Sequence, residues 1–194
     1  MITATRSVQR DWVTGCMLLL VLIITRSGHF GTSLKLPDAS WAVFWLSGAF
    51  AIRWWWTAIF MVAAAIVDYI VISHGVSSYC VTPAYPFLIP TYAALWGAGR
   101  WVSQSLGFEW QSLLRVAVSV LNGVTVAFII SNYSFYLFSG NFASLTTWQF
   151  TQATMQYWPA YLLHVTVYVV TGLLIHSISE AIRTLRAPQK TAAI

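Results

Sequence analysis

Charge is what this sequence has least of. Of 194 residues only 8% are Asp, Glu, Lys or Arg, against ~25% in a soluble domain, and acids are the scarcer sign, five against ten bases. So few charged side chains cannot cover a globule in water, and a mean hydropathy of +0.70 calls for lipid as the solvent. Cysteine is nearly absent. Cys16 and Cys80 stand far apart without C-x-x-C spacing, so no zinc or thioredoxin-like motif is written here. No G-x-x-x-x-G-K-[ST], H-E-x-x-H or G-x-S-x-G occurs, which leaves nucleotide hydrolysis, zinc proteolysis and α/β-hydrolase chemistry without support. The net charge of +5 comes from bases scattered singly between apolar runs, so no nucleic acid is expected as a partner.

What is present in quantity is apolar side chain, 58% of the chain. Apolar windows fall at 12–27, 39–52, 54–73, 84–103, 112–131 and 157–181. At ~20 residues per crossing they predict an all-α integral membrane protein, a six-transmembrane-helix bundle forming a single membrane domain over 1–194. The Thr25-Arg26-Ser27-Gly28 stretch offers no small-x-small cleavage pattern, so the first window is expected to be a retained helix rather than a signal peptide. Arg6, Arg10, Arg53, Arg100, Arg115, Arg183, Arg186 and Lys190 would lie on one side and Arg26 and Lys35 on the other. The positive-inside bias then makes both termini cytoplasmic. Trp54, Trp55, Trp56, Trp101 and Trp110 at one end, and Trp41, Trp148 and Trp158 at the other, suit an interfacial belt.

The connections on the outer side of this topology are long and poor in charge. The last, 132–156, has no charged residue and interleaves amides and hydroxyls (Asn132, Tyr133, Tyr136, Gln149) with Phe135, Phe142 and Phe150. Such a mixture fits a neutral ligand with amides and broad apolar faces, or a segment lying in the headgroups. Asp68 is the only acid in the interior of any span, Glu180 falling at the very end of the last window. An unpaired intramembrane carboxylate costs at least ~2.5 kcal/mol, so Asp68 should face the bundle interior, orienting Tyr85, His74 or a ligand amide, or serving as a neutral structural acid. Cys80 sits in a short outer connection before Pro83, Pro86 and Pro90, where irregular backbone must be buried or line a cavity. Its sulfur can serve as a soft metal ligand, as a nucleophile or as a small packed hydrophobe. Cys16 reads as packing and Asn122 as an interhelical hydrogen bond. His74, His164 and His176 form no i, i+4 pair, yet they are the residues a haem-binding or quinone-linked redox protein would use, and that is the alternative reading.

The run Ser78-Tyr79-Cys80-Val81-Thr82-Pro83-Ala84-Tyr85-Pro86, the Trp54-Trp55-Trp56 start of the third window and six spans in this length together resemble the BtuM family of small bacterial vitamin B12 transporters. That family is similar to the substrate-binding S-components of energy-coupling-factor (ECF) transporters. The resemblance covers essentially the whole chain and implies an S-component-like fold in the bacterial inner membrane. It implies uptake of cobalamin, with Cys80 giving sulfur to the cobalt of a base-off corrinoid, and removal of cyanide from cyanocobalamin as an associated activity. Asp68, Tyr85, Tyr79, His74, Asn132 and Tyr133 are the expected ligand neighbours by their predicted location. The first window departs from the A-x-x-x-A pattern of S-components that dock on a shared membrane subunit, having Gly15-Cys16-Met17-Leu18-Leu19-Leu20 instead, so use of an ECF module is left open. Ala93 and Gly97 are the small residues expected to permit close helix approach.

Overall fold

The computed structural model describes residues 2–28, 36–75, 79 and 81–186, with side chains from 9 to 185. Among them the chain is all-helical: α1 (Ile2–Gly28), α2 (Ser40–Ala49), α3 (Trp55–Ser73), a 3-10 turn (Tyr85–Phe87), α4 (Leu88–Val102), α5 (Trp110–Phe138), α6 (Thr147–Met155) and α7 (Trp158–Arg186). Three stretches, Trp55–Ser73, Trp110–Phe138 and Trp158–Leu185, are long and apolar enough to cross a membrane. In each, no more than 33% of the most apolar window is buried inside the protein. The apolar surface therefore points outward, as in a protein whose solvent is lipid.

Ring and hydrogen-bond contacts fix which ends lie together. Trp12 of α1 meets Trp55 and Trp56 of α3, and Phe50 after α2 stacks on His176 of α7. We call this the proximal end. At the other, distal end Arg26 of α1 reaches Asp68 of α3 and Tyr92 of α4, and Phe87 stacks on Phe138 at the close of α5. α1, α3 and α5 thus run from proximal to distal, and α2, α4 and α7 return.

α2 is the centre of the bundle. Its sequence SWAVFWLSGA is apolar all round, the signature of a helix buried on every side, and all its residues but Trp41 are buried. Phe44 stacks on Tyr92 with centroids 4.0 Å apart and meets Phe60 edge-on, while Trp45 Nε1 donates to Ser119 Oγ at 3.1 Å. Close approach to α4 depends on Gly48 and Gly99. A Cβ at Gly48 would run into the backbone of Trp96 and Arg100, and one at Gly99 into the backbone of Trp45 and Ala49. Ala93 and Gly97, expected to do this, are exposed. They lie on the face of α4 turned away from α2.

Two windows hold shorter helices than expected, each for a local reason. α2 stops at Ala49: Phe50 still makes the helical bond to the Leu46 carbonyl, but the Ala51 N–H tightens onto the Gly48 carbonyl and Ala51 takes the left-handed conformation, φ 52°. α4 starts only at Leu88, after Pro83 and Pro86, with Pro90 in its first turn, where its missing N–H costs no bond. The segment 132–156 is not one long connection. α5 continues to Phe138 and α6 follows, opened by a capping box in which Thr146 Oγ1 accepts from the Gln149 N–H and Gln149 Oε1 accepts from the Thr146 N–H. Three single-residue expectations also change. Cys16 and Asn122 are exposed on α1 and α5 rather than packed between helices, and Trp56, 2% exposed, belongs to the core rather than to a belt.

Candidate functional site at the distal end

The distal end is built round one buried cation. Arg26, in the last turn of α1, is 9% exposed and Asp68 of α3 is 8% exposed. The two form a bidentate pair, Nε to Oδ1 and Nη2 to Oδ2, both at 2.6 Å. Arg26 Nη1 also donates to Asp38 Oδ2 at 3.1 Å, Ser40 Oγ at 3.0 Å and Tyr92 Oη at 3.3 Å. Tyr85 Oη donates to Asp68 Oδ2 at 2.8 Å. Asp38 Oδ1 accepts from both the backbone N–H and the hydroxyl of Ser40, which starts α2. The planar guanidinium fork suits this role, since it supplies several donors in one plane and keeps its charge when buried. One side chain thereby ties α1, α3, α4, the start of α2 and the turn before α4 together.

Asp68 therefore faces the bundle interior, as its place in an apolar helix requires, and Tyr85 is its neighbour. Its principal partner, however, is Arg26, which sequence reasoning had counted as a loop charge. A signal for this existed: a buried carboxylate needs a cation, and only Arg26 and Lys35 were available at that end. Asp38, Ser40 and Tyr92 went unnoticed because each looks ordinary in the sequence.

The other expected site residues divide. Cys80 lies outside the described residues, but its neighbours do not: Tyr79 meets Phe135 of α5 edge-on at 5.5 Å. Asn132 and Tyr133 are on α5, in the half that runs to the distal end. Asn132 Nδ2 donates to the Phe128 carbonyl and Tyr133 Oη pairs with Thr151 Oγ1 of α6 at 2.7 Å. His74 is not part of this cluster. It closes α3, is exposed, and its Nδ1 lies 2.7 Å from the Ile70 carbonyl of its own helix. His164 is exposed on α7 and His176 lies at the proximal end, so the three histidines do not face one another.

An aromatic wall completes the distal end. Phe150 of α6 is buried against Tyr133, Tyr136 and Phe142, and Phe142 in turn meets Phe135. Tyr136 Oη donates to the Leu145 carbonyl. Phe135 is thus shared between the segment at Tyr79 and the α5–α6 wall, and so brings the neighbourhood of Cys80 beside an uncharged aromatic surface. Among the described residues no three His, Cys, Asp or Glu come together in a way that would hold a metal ion. No family model matches the chain, and no curated protein matches it.

Proposed function

We propose that the chain is a six-span transporter of the bacterial inner membrane that takes up cobalamin from the outer face, with both termini in the cytoplasm and Cys80 as the sulfur ligand to cobalt. The observation that carries this is the Tyr85–Asp68 hydrogen bond. Joining residues 17 apart, it pins the two flanks of the connection that holds Cys80, and Arg26 fixes Asp68 in turn. A connection whose described flanks are held together suits the presentation of a single axial donor.

Ligand chemistry supports the same reading. A corrin ring brings its own equatorial ligands to cobalt and asks the protein for one axial donor. Thiolate sulfur is a soft donor suited to that position. The uncharged segment 132–156, with its tilted and edge-on ring contacts, suits a cargo with broad apolar faces and amide fringes. α2, 10 residues long, is covered by the helices around it, and the exposed residues that flank it, Leu36, Ala51, Arg53 and Trp54, fall where the ends of a crossing would meet the headgroups. The exposed Arg53, on the proximal turn, Arg100, in the last turn of α4, and Arg115, near the start of α5, support a cytoplasmic proximal end through the positive-inside bias.

Visible spectra of purified variants test the proposal. Cys80→Ala should lose the base-off corrinoid spectrum and most of the bound cobalamin, whereas Cys16→Ala, altered on an exposed face, should match the parent. An unchanged corrinoid spectrum in Cys80→Ala overturns the assignment of the ligand.

A further inference from the structure

A second feature lies at the opposite end and owes nothing to the cargo site. α1 and α7 each pack on α2, and between them runs a cavity of about 180 Å³ floored by Leu46 and Phe50. Its walls are apolar: Val13, Met17 and Val21 from α1 and Ile175 from α7, all exposed. At its proximal mouth the lining turns polar, with Arg10 from α1 and His176, Glu180 and Arg183 from α7. We propose that this groove seats one acyl chain of an acidic phospholipid from the proximal leaflet, its phosphate held between Arg10 and Arg183.

Dimensions favour a lipid chain over a helix. From Arg10 to Val21 the groove follows α1 for about 17 Å at 1.5 Å per residue, which is close to the ~15 Å half-thickness of a hydrocarbon core. A transmembrane helix of a partner would need twice that length. Charge selects the headgroup. Arg183 Nη1 donates to Glu180 Oε1 at 2.8 Å, so those two charges largely cancel. Among the described residues Arg10 makes no ion pair. The mouth therefore offers one net positive charge beside a second guanidinium, which matches a phosphodiester with a single negative charge.

The test uses the full chain reconstituted in vesicles of equal parts phosphatidylglycerol and phosphatidylcholine, extracted in mild detergent, with retained lipid read by mass spectrometry. The parent should retain phosphatidylglycerol in preference to phosphatidylcholine. Arg10→Gln and Arg183→Gln should each lower that retention roughly fivefold, and Arg115→Gln, a proximal arginine off the groove, should leave it unchanged. Thr14→Phe fills the groove without touching its charges and should remove the retained lipid. Equal retention of the two lipids by the parent, equal losses in Arg115→Gln and the groove arginine variants, or undiminished retention in Thr14→Phe would each overturn the proposal. Gel filtration and helical circular dichroism of every variant separate lost binding from lost fold.

Discussion

At the distal end Arg26, Asp38 and Asp68 are drawn into one buried network, whereas at the proximal end Arg53, Arg100 and Arg115 stand exposed on separate elements. Aromatic residues divide in a similar way. Distal Phe150 and its neighbours pack tilted and edge-on against one another, while proximal Trp54, Trp101 and Trp110 are left exposed, Trp54 at 75%. Buried charge in lipid is costly unless paired, so a cluster that persists there must fix something. Here it fixes the flanks of the connection carrying Cys80. Exposed bases and indoles at the other end instead meet the headgroups, where a single side chain matters little.

This contrast can be broken most easily at Arg26. Arg26→Met leaves the Asp68 carboxylate buried without its cation and should destabilise the fold by about 3–5 kcal/mol. The double variant Arg26→Met with Asp68→Asn should be less damaged than the Arg26 change alone, because no unpaired charge remains. Reversible unfolding in detergent followed by tryptophan fluorescence reads both, and strictly additive losses would deny the pairing its importance. Next in size is Tyr85→Phe, which removes one charge-assisted hydrogen bond and should cost about 1.5–3 kcal/mol. It should also loosen corrinoid binding, and a normal affinity would detach the network from the cargo site. At the proximal turn Ala51→Gly relieves a left-handed backbone and should stabilise by about 1 kcal/mol, seen as a raised Tm. Trp54→Ala, on the exposed side, should change stability by less than about 0.5 kcal/mol in the same unfolding assay.

How far the sequence revealed this molecule depended on the kind of signal. Long apolar runs are visible without partners, so α3 and α7 were legible within a few residues and α5 at its start, while its continuation from 132 to Phe138 was taken for connection. α2 and α4 were recognised but drawn too long, because the left-handed turn at Ala51 is a tertiary outcome in a residue that rarely adopts it, and Pro90 is compatible with a helix start. α6 was hidden in a polar stretch whose capping box, Thr146 with Gln149, was its only local mark. In the site, the rule that a buried acid faces inward placed Asp68 and Tyr85 correctly. It did not name Arg26, since a basic residue at the end of an apolar run looks like a loop charge until another helix closes over it. Gly99 rather than Gly97 meets α2 for a similar reason: two residues apart on a helix point about 160° from each other, and only the partner decides which face is inside.

The most direct test of the central claim is the cobalt content of the protein purified from cells supplied with cobalamin, measured by elemental analysis beside its absorption spectrum. Near-stoichiometric cobalt with a base-off corrinoid spectrum is the result expected of a chain that presents Cys80 on a connection pinned by Asp68 and Tyr85. Protein without cobalt after saturating supply would contradict it.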